Sequence, residues 1–253
     1  MIFEERLKAQ FEKLVLKAPK ESKYLTHLYV DYVEIIAVFS NNSRVTRGDL
    51  LDRLQDEGVL KINDGNELIN EIGSDTAEQR DTHEAQVNDI FRVIEERTQI
   101  FGSNYPFSFT NAHLILRESL TIKQELYLML LIASNLDVFT KVRSELTSDF
   151  EAISYYALKN YLSANAVVKE FGKNSNYKGN TRDKISQLAF DLGMETNEKE
   201  LNNISIQNSK DRGLDIIGWV PFTDNVPNYL AILGQCACGK EWFKKQNETR
   251  RYE

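Results

Sequence analysis

Two β-rich runs near the C-terminal end of the chain constrain its fold more than any other feature. Gly213-Leu-Asp-Ile-Ile-Gly-Trp-Val-Pro-Phe222 and Tyr229-Leu-Ala-Ile-Leu-Gly-Gln-Cys-Ala237 flank Thr223-Asp-Asn-Val-Pro-Asn228. A turn rich in Asp, Asn and Pro between two such runs is the signature of a β-hairpin. A turn centred on Asn225 sets Asp215 opposite Gln235 on the same face, whereas a register one residue different sets Asp215 beside Cys236. The hairpin stands in a chain otherwise poor in breakers: 12 Gly and 4 Pro in 253 residues favour many helices and few tight turns.

Upstream, apolar residues recur at three- and four-residue steps. Ile2, Phe3, Leu7, Phe11, Leu14 and Val15 mark a helix to about Ala18, ended by Pro19. A second helix covers Leu25 to Phe39 and is followed by the loop Ser40 to Ser43. Thr46, three residues before Asp49, opens a short helix over Gly48–Leu54 in the manner of a capping box, and Gly58 closes it. Two helices joined by a polar loop can form a DNA-reading helix-turn-helix, but no basic face accompanies these. Ser74 to Arg97 reads as a long helix with a narrow buried stripe of Val87, Ile90, Phe91 and Ile94. Gly102 and Pro106 break the pattern over Phe101 to Phe109, and a further helix spans Lys123 to Leu136. Residues 1–145 are therefore expected to be all-helical, a region for interaction or sensing.

The pattern changes after Leu146. Thr147 is positioned to cap a helix from Asp149 to Leu162, with Phe150, Ile153, Ala157, Leu158 and Tyr161 inward. Ala164 to Phe171, ended by Gly172, reads as a strand, and Thr181 to Leu192 as a helix beyond a polar loop. Glu195 to Arg212 reads as a long exposed loop. The expected class is α+β: a helical region over 1–145 and an α/β domain with a mixed sheet over 146–253.

Composition bears mainly on what is excluded. A hydrophobic fraction of 42% and a charged fraction of 27% are those of a chain that buries a core. The residues from Met1 to Gln10 are not expected to act as a signal peptide, the most apolar run, Leu126 to Ala133, is too short to span a bilayer, and the expected location is the cytoplasm, with no membrane partner. Cys236 and Cys238 lie too close in sequence to staple distant segments, and they do not complete a tetrahedral zinc site. His27, His83 and His113 lack metal-ligand spacing. A net charge of −7 disfavours nucleic-acid binding over the whole surface but leaves room for a local basic groove.

An acidic residue facing an oxygen-bearing side chain across a hairpin offers oxygen ligands to a hard divalent cation, which can activate water against a phosphodiester. In the register of a turn centred on Asn225, Asp215 and Gln235 have that relation, and Glu151 can add a carboxylate. The ordinary alternative is that Asp215 caps a strand, Gln235 bonds to backbone and Glu151 is solvated. The whole arrangement resembles the PD-(D/E)XK nuclease superfamily, in the Mrr-like subgroup whose third motif begins with Gln. It consists of a helix opening with Phe150-Glu151, a strand ending at Phe171-Gly172, Asp215 on one hairpin strand and Gln235 on the next.

That resemblance covers roughly residues 147–245. It implies a restriction endonuclease-like domain that cleaves DNA with Mg²⁺ or Mn²⁺, as in bacterial defence against phage. Asp215 becomes the principal metal ligand, Gln235 the second, and Glu151 the helix carboxylate that holds metal or water. The motif lysine expected two residues after Gln235 is replaced by Ala237. Lys240 is the candidate substitute, with Lys244 and Lys245 also in reach, and without one of them the resemblance implies an inactive relative that binds a partner protein or nucleic acid.

Under that resemblance residues 146–253 are expected to be either a minimal version of the domain or a part of it truncated at its C-terminus. Lys173, Lys178 and Arg182, with Lys244 and Lys245, are candidate phosphate contacts, and Lys169 and Lys184 belong to the same basic stretch. The same metal chemistry would serve RNA. The helical region is expected to bind a partner, a second copy or the DNA.

Overall fold

The computed structural model describes residues 18, 25–57, 75–110, 113–172, 174–204, 213–221, 230–238 and 242. The chain divides into two compact units, Met1–Thr140 and Lys141–Glu253. Both helices and short antiparallel sheets are present, so the molecule is of the mixed α+β class. The expected helix before Pro19, the closing Gly58 and the hairpin turn around Asn225 lie outside the described residues.

In the first unit, α1 (Leu25–Phe39), α2 (Arg47–Asp56), α3 (Asp75–Phe101) and α4 (Ile122–Ala133) follow the periodicity of the sequence. Val30, Val33 and Ile35 of α1 are buried, as are Val87, Ile90, Phe91 and Ile94 of α3. Thr46 caps α2 as its spacing predicts: the Asp49 N–H donates to Thr46 Oγ1 at 3.0 Å, and the Thr46 N–H donates to Asp49 Oδ2 at 2.9 Å. Thr46→Ala removes an acceptor from the first turn and should cost about 1 kcal/mol, read as a lower Tm in thermal denaturation.

The expectation of an all-helical first region needs one correction. Strands β1 (Arg44–Thr46), β2 (Phe107–Thr110) and β3 (His113–Leu116) form an antiparallel sheet in the order β1-β3-β2. Val45 pairs with Leu114, and Leu114 with Phe109, so apolar side chains meet across all three strands. The sheet's inner residues Val45, Phe107 and Leu114 join the helical core. Because β1 lies between α1 and α2, those helices are not joined by a simple loop.

A charged group sits in this core. Glu34 is fully buried on α1. Tyr105 Oη donates to Glu34 Oε1 at 2.6 Å and Tyr127 Oη to Glu34 Oε2 at 2.9 Å. Arg97 lies 2.9 Å from the same carboxylate and donates to Asp31 Oδ1 at 2.8 Å. Burial pushes the Glu34 carboxyl up, and the Arg97 guanidinium works against that shift. Burial and the Glu34 charge together raise both tyrosines, which keeps them protonated as donors.

The second unit contains α5 (Arg143–Tyr161), β4 (Val167–Glu170), α6 (Thr181–Asp191), α7 (Glu198–Asn203), β5 (Ile216–Trp219) and β6 (Ala231–Gly234). The sheet order is β4-β5-β6 and every described pair is antiparallel, so the mixed sheet expected from sequence is not what these strands form. Ile216 faces Gly234 and Trp219 faces Ala231, the register of a turn centred on Asn225. Helix α5 lies across β4 and β5. Gly218 permits that approach, because a Cβ there would meet Leu162 Cδ1 at 2.7 Å and Leu158 Cδ2 at 3.2 Å.

Three local expectations change. Helix α5 begins at Arg143, so Thr147 is inside it and bonds the Arg143 carbonyl instead of capping. Tyr161, expected inward, is 84% exposed, and Ala157 is exposed too, because Leu158 and Leu162 take the face toward Gly218. The expected loop after Glu195 contains α7, capped by Asn197.

Candidate active site

The site is assembled at one end of the second sheet. Asp215 immediately precedes β5 and is held from both neighbours. Its carbonyl accepts from the Phe171 and Gly172 N–H groups at 2.7 and 3.1 Å, and its own N–H donates to the Gly234 carbonyl at 3.0 Å. Its carboxylate accepts from the Cys236 N–H at 2.5 Å. Gln235 follows β6 directly and is half-buried, one step beyond the Ile216–Gly234 pair and so opposite Asp215.

Glu151 comes from α5. Its Oε2 accepts from Asn174 Nδ2 at 3.4 Å, and the same nitrogen donates to Ser148 Oγ at 3.0 Å. Three residues on, and therefore on the same helix face, Ser154 bonds the Phe150 carbonyl and interacts with the Cys236 thiol. That thiol is pushed up to about 12, chiefly by burial. Ser154 opposes the shift, while the charges of Asp215 and Glu151 add to it. A thiol so placed stays protonated and is a poor nucleophile.

Among the described residues, no three His, Cys, Asp or Glu side chains converge to hold a metal ion. Asp215 and Glu151 are two hard oxygen donors, and a third would have to be the Gln235 carboxamide. Such an all-oxygen set suits Mg²⁺ or Mn²⁺ rather than a thiophilic metal.

The basic residues divide. Lys173, Lys240, Lys244 and Lys245 lie outside the described residues. Lys178 is exposed. Arg182 is engaged within the unit, its Nε donating to the Ile204 carbonyl at 2.5 Å and its Nη2 to the Asn202 carbonyl at 2.7 Å, so it secures the end of α7. Lys169 is engaged too: its ammonium lies 2.6 Å from Asp191 and sits over the rings of Tyr177 and Trp219. Trp219 is a core residue, whereas Trp242 is 41% exposed.

The Lys169 pair has a pH consequence. Burial opposes ionisation of Asp191, but the bonds from Lys169 and Tyr177 outweigh it and hold the carboxyl below its ordinary 3.8. A depressed folded-state pKa stabilises at pH above 3.8, and that contribution disappears as pH falls through the lowered value. Asp191→Asn should therefore cost about 1 kcal/mol at neutral pH, for a partly exposed pair. The gap to the unsubstituted protein should close in strongly acidic melts.

Asn174, Ser148 and Ser154 were not among the residues singled out from sequence. Ser148 and Ser154 carried a signal there, each standing three residues from Glu151 in the same helix. Comparison of the chain with known protein families, with curated proteins and with solved structures finds no match.

Proposed function

We propose that residues 146–253 act as a metal-dependent endonuclease that hydrolyses DNA phosphodiester bonds in the cytoplasm, in the manner of the PD-(D/E)XK enzymes, as part of antiviral defence in a bacterial cell. The observation that carries this reading is the hairpin end at which the Asp215 carboxylate is held by the Cys236 N–H opposite Gln235, near enough to α5 for the Glu151 charge to add to that of Asp215 at the Cys236 thiol.

Asp215, Glu151 and Gln235 would hold Mg²⁺ or Mn²⁺, which supplies Lewis-acid charge and a more acidic bound water. The chain's own contribution is orientation. The backbone bonds on either side of Asp215 fix where its carboxylate sits, and the Cys236 N–H fixes how it turns. Asn174 and Ser148 constrain Glu151. The helical region would bring in a partner protein, a second copy or the DNA.

Ala237, where the resemblance expects lysine, favours a second reading in which the domain binds but does not cut. Nicking of supercoiled plasmid by the full chain with Mg²⁺ or Mn²⁺ separates the two. Activity that disappears in Asp215→Ala and in EDTA supports the nuclease. A folded protein that nicks no faster than Asp215→Ala, on plasmid and on phage DNA, supports the binding module.

A further inference from the structure

We infer that Lys184 is the cationic contact of this site, its ammonium meeting the phosphate of a bound nucleic acid; the inference rests on the nuclease reading. A phosphate brought between Glu151 and Asp215 meets two like charges, and a single divalent cation only balances that pair. Further negative charge develops as the phosphodiester is attacked, and a positive side chain beside the carboxylates would stabilise it.

Among the described basic residues of the sheet and α6, Lys169 is engaged by Asp191 and Arg182 by the end of α7. Lys184 is directed differently. Its Nζ donates to the Gly172 carbonyl at 3.3 Å. The Gly172 N–H in turn donates to the Asp215 carbonyl, and Asn174, two residues on, bonds Glu151. Gly172 thus bonds both the ammonium and the Asp215 backbone, and the side chain that bonds Glu151 follows two residues later in sequence. An ammonium has three donors and the carbonyl takes one, so a second can be donated to a phosphate oxygen without breaking the existing bond.

The sequence setting is consistent with a built position. Lys184 lies in the first turns of α6, where the Asn180–Asp183 capping box fixes the helix start. Gly179, with φ of +96°, brings the chain into that cap, and a Cβ there would run into Asp183. The half-buried stem of Lys184 is therefore anchored at its base as well as at its tip.

The test compares Lys184→Gln and Lys184→Arg with the unsubstituted full chain, each first shown to melt cooperatively. Gln keeps a donor for the Gly172 carbonyl but has no charge, so a purely structural role for Lys184 would survive it. Plasmid nicking is measured with Mg²⁺. Binding of a short DNA duplex is measured by fluorescence anisotropy with Ca²⁺ in place of Mg²⁺, at several salt concentrations.

The expected result is nicking slowed about 100-fold by Lys184→Gln and largely restored by Lys184→Arg. The dependence of log affinity on log salt should become shallower by about one in Lys184→Gln, as loss of one phosphate contact predicts. Nicking and salt dependence both unchanged in Lys184→Gln would overturn the assignment while leaving the nuclease intact. Absence of nicking in every protein, with the salt dependence still shallower in Lys184→Gln, would sink the nuclease reading and retain the phosphate contact. If nothing nicks and the binding curves coincide, both fall.

Discussion

Arg97→Met is expected to destabilise the first unit by about 3–5 kcal/mol, the usual result of removing one partner from a buried ion pair. The penalty comes mostly from what remains. Glu34 is fully buried, and Asp31 lies on the same helix within reach of the same guanidinium. Without Arg97, the donors described around Glu34 are the Tyr105 and Tyr127 hydroxyls, which carry no charge. Methionine approximates the arginine stem, so the change isolates charge from volume.

The effect should depend on pH in a defined direction. The Glu34 and Asp31 carboxyls are already raised by burial in the folded protein, and the Arg97 charge restrains them. A carboxyl with a raised folded-state pKa stabilises the fold below its unfolded pKa and loses that contribution as pH rises through the folded value. Removing Arg97 moves both carboxyls further up. Urea titrations of Arg97→Met at neutral and mildly acidic pH should therefore show the variant regaining stability on acidification. An equal deficit at both pH values would mean that the loss is one of packing alone.

Gly218→Val is expected to cost about 1–3 kcal/mol through overpacking and to impair the site as well. The first added carbon would sit 2.7 Å from Leu162 Cδ1, and valine adds two methyls beyond it. Leu158 and Leu162 must then repack or α5 must lift from β5. Glu151 and Ser154 are on that helix, so lifting it withdraws one carboxylate from Asp215. If the nuclease reading holds, plasmid nicking should fall at least tenfold in a protein that still melts cooperatively. Gly218→Ala should show a smaller loss of the same kind, because Leu162 offers the flexible end of a side chain.

Much of this architecture was legible where the information is local. Thr46 and Asp49 announced the start of α2 because a capping box is closed by residues three apart. The hairpin itself was legible from its two β-rich runs, but they left two registers open, and the pairing of Ile216 with Gly234 selects the one that sets Asp215 opposite Gln235. Sheet β1-β3-β2 was hidden for the opposite reason. Arg44 pairs with Ile115 across a long stretch of chain, and a strand of three residues is too short to show alternation. Phe107-Ser-Phe-Thr110 does alternate, but Gly102 and Pro106 just before it drew the reading toward a break.

The site divides along the same line. Asp215 and Gln235 were visible as hairpin neighbours, and Glu151 through a resemblance covering the whole segment. The engagements of Arg182 and Lys169 were not visible, because charge in a sequence does not show which cations are already satisfied inside the fold. Nor was the placement of Lys184, which depends on how α6 folds back to the end of β4.

The parts of the second sheet are far apart along the chain. Lys169 pairs with Ile217, and the Phe171 and Gly172 amides reach Asp215 only after α6 and α7 have intervened. Such non-local pairing is slow to form, since the loop must close before its contacts repay the loss of chain freedom. During synthesis the chain up to Asn203 already contains Glu151, Lys184 and several helices, but β5 and β6 have yet to be made. Asp215 is held on both sides only once Gly234 has been made as well, so Glu151 and Lys184 wait through the synthesis of α7, β5 and β6 before the residue they are proposed to work with is fixed.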